Sequence, residues 1–355
     1  MQNRVIPIFI AGSDYGGKGY VYDMLKRHPS VFVRNKEWYW AGYQPGLARK
    51  FPDLENPETR KQAIIHHLTL IHAENADRFP DSFGGTTSNF VTAQTDAIFQ
   101  SLRPPFHHDT LFAKVMSTIC QLCQKGFFVQ LATGQHIERL ARNLPEAKFI
   151  AIIRDPRNML VSRKTRRQNV WTSEQFTEEQ RPVKHKMTAY DPLWDSLSAK
   201  SDIRAMQRSL EALPQQMRLF HHPNLVADPE NGALEICAFS GIPFDAVMLG
   251  VERRTSANWD PKKQAPQENT PRFLRMLHPC EIVLSQWVLN RELAWLGYNK
   301  VPTSFKHKLM APFLLVRSIW DIWLRVYRRW SHRGTAYIFD MFKMYLRRFR
   351  SIWRA

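Results

Sequence analysis

Between Gly12 and Gly19 the chain reads Gly-Ser-Asp-Tyr-Gly-Gly-Lys-Gly. Backbone N–H groups in so glycine-rich a segment can point together at an anion, and Lys18 places a cation among them. Taken alone, the segment is either an ordinary turn or a phosphate cradle. A nucleoside triphosphatase loop would read G-x-x-x-x-G-K-[ST]. Gly12, Gly17 and Lys18 match it, but Gly19 stands where a hydroxyl would hold Mg²⁺, which argues against metal-assisted phosphoryl transfer. A second anion element lies further along, at Arg154-Asp-Pro-Arg157, with Ser162 eight residues beyond Arg154. An arginine at the C-terminal end of a strand and a hydroxyl on the next helix can meet one phosphate in the crevice where α/β proteins bind ligands. Two phosphate sites imply a doubly phosphorylated nucleotide.

The elements that must position these groups are readable from hydrophobic patterning. Val5 to Ala11 is a short β-branched, apolar run of the kind that makes a buried strand; Gly12 to Gly19 follows as loop and Tyr20 to Arg27 as helix. Phe149 to Ile153 is a second strand, leading through Arg154 into a helix from about Asn158. Phe127 to Leu131 is a third strand and Met217 to Phe220 a weaker fourth. Helical patterns fall around 60–75, 136–143, 202–212 and 230–240, and this alternation predicts an α/β fold with a P-loop-type parallel sheet flanked by helices. The stretch 168–200 is polar and aperiodic, and predicts a long loop or lid.

At 355 residues, with 44% hydrophobic and 23% charged residues, the chain can build a core without disulfides or a structural metal. Four cysteines are too few for a disulfide framework, which suits a reducing compartment. Cys120 and Cys123 form a C-x-x-C with no second pair, so core thiols on a helix face compete with redox or metal roles. No zinc-type histidine spacing is present. The N-terminal apolar run leads into the glycine loop, and reads as a strand rather than a signal peptide. Charge is uneven: residues 301–355 hold 12 Lys plus Arg against Asp321 and Asp340, a net +10 of the chain's +18. The expected organisation is an enzyme-like domain over 1–300 and a basic amphipathic helical extension over 301–355.

Several segments resemble the sulfotransferases that use 3′-phosphoadenylyl sulfate. IFIAGSDYGGKGYVYDMLKRHPSV is similar to that family's 5′-phosphosulfate loop, which ends in a His-Pro pair, here His28-Pro29. PEAKFIAIIRDPRNMLVSR resembles the 3′-phosphate element, LVADPENGALEICAFSGIPFD a later helix, and Leu296-Gly-Tyr298 the closing Leu-Gly-Tyr. The resemblance spans roughly residues 4–300. It implies that Gly16, Gly17, Lys18, Gly19 and Tyr20 hold the 5′ end of the donor, that Arg154 and Ser162 hold the 3′-phosphate, and that no metal is needed. Arg253 and Arg254, with Lys262 and Lys263 around Trp259, resemble a late basic loop over the nucleotide; a solvated charge run is the other reading. Asn35-Lys-Glu-Trp-Tyr-Trp40 resembles a segment whose Glu, here Glu37, is the base in glycan-directed members. The aromatic residues after it could stack on a sugar or belong to the core. Asp23 is the weaker alternative carboxylate. The resemblance therefore implies transfer of a sulfuryl group to a hydroxyl of a carbohydrate or glycolipid, with Glu37 and Lys18 as catalytic residues. Two departures stand out: Tyr15 where the family usually has Arg or Lys, and Ala132-Thr-Gly134 where it has Lys-Thr-Pro. They keep open a catalytically silent nucleotide-binding scaffold, with a P-loop kinase less favoured still.

From Leu309 to Trp330 apolar residues are interrupted by Arg317, Asp321, Arg325, Arg328 and Arg329, so a bilayer-spanning helix is not expected. Leu315, Ile319, Ile322 and Trp323 can share a helical face. Basic residues interleaved with Trp and Phe suit an anionic membrane surface, and predict a peripheral protein on the cytoplasmic face of a membrane. Packing on the enzyme body or a second subunit is the alternative. No nucleic-acid-binding motif is recognisable, and no nucleic-acid partner is expected.

Overall fold

The computed structural model describes residues 5–34, 40–169, 190–251 and 271–321. Their contacts gather into two compact units that interleave along the chain: the first takes 1–12, 18–152 and 209–251, the second 13–17, 153–208 and 252–355.

The first unit is built on five strands, β1 (Ile6–Ala11), β2 (Val31–Val33), β3 (Phe127–Leu131), β4 (Lys148–Ile153) and β5 (Met217–His221), in the order β2-β3-β1-β4-β5. The β1/β3, β1/β4 and β2/β3 pairs are parallel. Strands covered on both faces need apolar residues at every position rather than alternation. Accordingly Ile8, Phe9, Ile10 and Ala11 are all fully buried. One face of the sheet packs Ile8, Ile10, Val129 and Ile150 against Val21, Met24 and Leu25 of α1 (Lys18–Arg27) and against Ile236 and Cys237. On the other face Phe9 stacks on Phe149 at 5.6 Å and meets Phe128 edge-on at 6.4 Å.

Sequence patterning located β1, β3, β4 and β5 to within a residue, and the helices over Pro57–Asn75 and Pro229–Ser240 to within three residues. The latter has a clear local cause: Asp228 caps it by accepting from the Asn231 N–H, Pro229 occupies its first turn, and Gly241 at φ 73° ends it. Three features differ. Helix α1 begins at Lys18 rather than Tyr20, so the expected loop is two residues shorter. Helical structure starts at Pro192, inside the stretch read as loop or lid, while 170–189 lie outside the described residues. Cys120 sits on the helix His108–Leu122, but Cys123 is its cap; both are buried free thiols whose pKa burial pushes up, as expected of core cysteines.

Gly12 joins β1 to the loop at φ 150°, and a Cβ there would lie 2.5 Å from the carbonyl oxygen of Ile152. Only glycine allows the two strand ends to approach this closely.

Against the second face, the first unit also buries a histidine with no acceptor or donor. His67 is fully buried among Trp40, Phe112 and Tyr43, with ring centroids 5.7 to 6.2 Å away, and neither ring nitrogen has a partner among the described residues. Burial, followed by repulsion from Arg34, His66 and His108, holds its pKa well below 6.5. His66 and His108 are also lowered, burial again being the main cause. Below pH 6.5 the unfolded chain binds protons that the native state refuses, so stability falls with falling pH. Each such group steepens the loss by up to about 1.4 kcal/mol per pH unit. Urea unfolding between pH 7.5 and pH 5 should show this slope, and His67→Phe should reduce it by about one proton's worth; an unchanged slope would remove His67 as the source.

The second unit contains the helix Pro156–Asn169, the helix Pro192–Ala212 over most of its length, and the short helices Arg272–Met276, Pro279–Val288 and Asn290–Trp295. Its core joins Leu160 and Val161 to Phe273, Leu277 and Ile282. Two of its carboxylates are neutralised by ion pairs: Arg204 donates to Glu292 at 2.6 Å and Lys164 to Glu281 at 2.7 Å. A helix over 305–321 completes the described part of this unit. On it Leu315 is half-buried and Ile319, one turn on along the same face, is exposed, while Ile322 and Trp323 lie outside the described residues.

Candidate active site

In the second unit, the Arg154-Asp-Pro-Arg157 turn divides its two arginines between different jobs. Arg157 is buried and consumed by structure: it donates to both Asp155 carboxylate oxygens at 2.8 to 3.2 Å, to Gln286 Oε1 at 3.1 Å and to the Asn299 carbonyl at 2.9 Å. Its guanidinium also lies 4.2 Å from the Phe273 ring centroid. Asp155 additionally accepts from the Arg157 backbone N–H at 2.9 Å, capping the helix that Pro156 opens. Arg154 is different. Among the described residues no acceptor takes a hydrogen bond from its guanidinium. Burial, and then repulsion from Arg272, lowers its pKa, with Asp155 and Tyr298 only partly compensating. A guanidinium in this setting stays charged and gains from any anion that binds beside it.

Arg272 is a residue that sequence reasoning missed. It is brought near Arg154 because the Phe273 N–H donates to Asn158 Oδ1 at 3.1 Å, anchoring the short helix Arg272–Met276 on the helix Pro156–Asn169. No motif marks it, and only the tertiary contact reveals it. Ser162, one turn beyond Asn158 on the same helix, is buried, and its hydroxyl donates to the Asn158 carbonyl at 3.2 Å.

The same unit holds the loop 13–17. The Gly16 N–H donates to the Ser13 carbonyl at 3.1 Å, closing a turn in which Tyr15 adopts φ 64° and Gly17 φ 102°. Tyr15 is met by two arginines of the helix Pro156–Asn169: Arg163 and Arg166 lie 5.6 and 5.8 Å from its ring centroid, and Arg166 donates to its hydroxyl at 3.4 Å. Arg163 also pairs with Asp14 at 3.3 Å and with Asp195. Burial works against the Arg163 charge, but Asp195 and Asp14 outweigh it and its pKa rises. Two cations of the helix that carries Ser162 thus stand beside Tyr15. Arg163 follows Ser162 directly and Arg166 stands four residues beyond it, a spacing that places Arg166 on the Ser162 face and was the available sequence signal. Ser13 lines a small cavity of about 10 Å³ with Pro156, Met159, Arg163 and Asp195, and its buried hydroxyl has no partner among the described residues.

In the first unit, Lys18 opens α1 with its side chain buried, donating from Nζ to the carbonyls of Gly12 at 2.6 Å and Ala132 at 3.5 Å. Gly19 follows it in the first turn. Tyr20 is half-buried, its hydroxyl donating to the Leu225 carbonyl at 3.5 Å. Asp23 is half-buried on the same helix. Trp40 belongs to the core: it stacks on Phe112 at 4.0 Å and donates to Asp109 at 2.6 Å, so it is unavailable to a sugar. Glu37, Trp38 and Tyr39, and Arg253, Arg254, Lys262 and Lys263, lie outside the described residues.

Together these features define an α/β protein with a glycine-rich loop between β1 and α1 and an arginine at the C-terminal end of β4. A family model described as "Sulfotransferase family" matches residues 7–246, and the chain belongs to that family. Among solved structures it is similar to the sulfotransferase domain of the Synechococcus PCC 7002 olefin synthase, at 15% identity over 88% of this chain and 96% of that one, with a TM-score of 0.42. It is similar also to a sulfotransferase from Alicyclobacillus acidocaldarius, at 16% identity over 82% and 96% with a TM-score of 0.38. A Mycobacterium avium sulfotransferase matches at 14% identity over 83% and 78%, with a TM-score of 0.40. No curated protein matches the chain.

Proposed function

We propose that this sulfotransferase takes its sulfuryl group from 3′-phosphoadenylyl sulfate and places it on a hydroxyl of a carbohydrate or glycolipid. The observation that carries the donor assignment is the division of labour at 154–157, where Arg157 is bound into the fold and Arg154, beside Arg272, keeps a charge that Asp155 and Tyr298 compensate only in part. The orphaned Ser13 hydroxyl in the loop fits the same class of ligand, a nucleotide with phosphoryl oxygens at two ends.

When bound, the donor supplies an activated sulfur whose bond to the 5′-phosphate oxygen breaks as the acceptor oxygen bonds to it. Arg154 and Ser162 hold the 3′-phosphate. The N–H groups of Gly17, Gly19 and Tyr20 orient the 5′ end, where the helix dipole favours negative charge, while Gly16, whose N–H is given to the Ser13 carbonyl, shapes the loop. Lys18 meets the charge that develops on the departing phosphate, exchanging the Gly12 carbonyl for it. Arg253 and Arg254 cover the nucleotide. Glu37 takes the proton of the acceptor hydroxyl. The acceptor class rests on the resemblance of the segment around Glu37 to glycan-directed members.

The test is calorimetric titration of the protein with 3′,5′-adenosine bisphosphate beside Mg-ATP. The expected result is saturable binding of the bisphosphate, and much weaker binding of ATP. Preference for Mg-ATP would overturn the reading in favour of a kinase-like site.

A further inference from the structure

The helix over 305–321 turns its apolar side outward. Ala311 and Ser318 are buried against the second unit, at 0% and 1% exposure, whereas Phe305, Leu309, Phe313, Val316 and Trp320 are exposed at 80, 63, 76, 66 and 59%. At the helical step these five fall within an arc of about 80°. Lys306 and Arg317 border that arc on one side and Lys308 on the other, all three exposed. Arg317 is only loosely engaged by Asp321, at 3.9 Å on the surface. Contiguous apolar patches of this kind on a protein surface mark interaction sites.

We propose that this face docks on an anionic lipid surface, with the helix lying in the plane of the interface. The charges choose the occupant. A second copy of the chain would bring the same basic borders together across a twofold axis, and residues 301–355 carry a net +10. Anionic headgroups neutralise those borders while the acyl boundary takes the phenylalanines and leucine, and Trp320 suits the headgroup zone. Among the described residues no helix is long and apolar enough to cross a membrane. The docking is independent of which acceptor the enzyme sulfates.

The test is sedimentation of the full chain with phosphatidylcholine vesicles and with mixed phosphatidylcholine–phosphatidylserine vesicles, at low and high salt. The mixed vesicles should bind the protein at least about tenfold more tightly than neutral ones, with the difference lost in high salt. Two variants probe the face directly: Leu309→Asp/Phe313→Asp on the stripe, and Lys306→Glu/Arg317→Glu on its border. Because these side chains are exposed, both variants should keep the parent's melting temperature and nucleotide binding, yet lose at least about tenfold in affinity for mixed vesicles. Parent-like vesicle binding by the stripe variant would overturn the proposal. So would equal binding of the parent to neutral and anionic vesicles, or a parent dimer by light scattering that the stripe variant abolishes.

Discussion

Glu37→Gln should leave 3′,5′-adenosine bisphosphate binding unchanged and lower sulfuryl transfer to simple glycosides by about a hundredfold or more, the usual size of a general-base contribution. The substitution keeps the shape of the side chain and removes only its ability to accept a proton. An acceptor hydroxyl attacking sulfur must lose that proton as its bond forms, so the loss belongs in kcat rather than in donor affinity. Single-turnover transfer from a labelled donor measures it directly. Asp23 is the competing carboxylate, and Asp23→Asn is therefore the companion variant. If turnover survives in Glu37→Gln but disappears in Asp23→Asn, the base has been misassigned.

The second large effect is expected at Arg154. Replacing it with alanine removes charge-assisted hydrogen bonds worth roughly 1.5–3 kcal/mol, so affinity for the bisphosphate should fall about tenfold or more. Affinity for 5′-AMP, which lacks the 3′-phosphate, should barely change. Ser162→Ala should show the same selectivity with a smaller loss. Arg157→Ala is the informative control, because Arg157 is committed to Asp155, Gln286 and Asn299. Its loss should appear as lowered thermal stability, with the preference for bisphosphate over AMP retained. Equal losses of the two nucleotides in Arg154→Ala would remove that residue from the 3′-phosphate site.

Much of the fold was legible because its strands advertise themselves. Ile6–Ala11 and Lys148–Ile153 are apolar at nearly every position, which only a strand buried on both faces requires, and each runs into a motif that cannot continue it. The caps at Asp228 and Gly241 likewise act within one turn of chain. Val31–Val33 escaped notice because three residues are too few to display a period, and its strand character comes from pairing with Phe127–Val129. The early start of α1 escaped for a related reason. Gly19 disfavours helix locally, but the burial of Lys18 and its bond to the Gly12 carbonyl accompany a first turn that local propensity opposes.

For the site, the sequence by itself determined the chemistry on offer: a glycine loop ahead of a helix, a strand-end arginine, a hydroxyl on the following helix and a basic C-terminal region. These depend on residue type and short spacing, which act through local backbone geometry. Tertiary structure alone decided how those residues are used. Arg154 and Arg157 are indistinguishable as side chains, but Gln286 and Asn299, 129 and 142 positions from Arg157, engage it and leave Arg154 beside Arg272. Arg163 and Arg166 reach Tyr15 from about 150 residues away in the chain. A buried charge must find a partner, and the partner is chosen by whichever segments the fold brings within hydrogen-bonding distance, information that no local stretch of sequence contains.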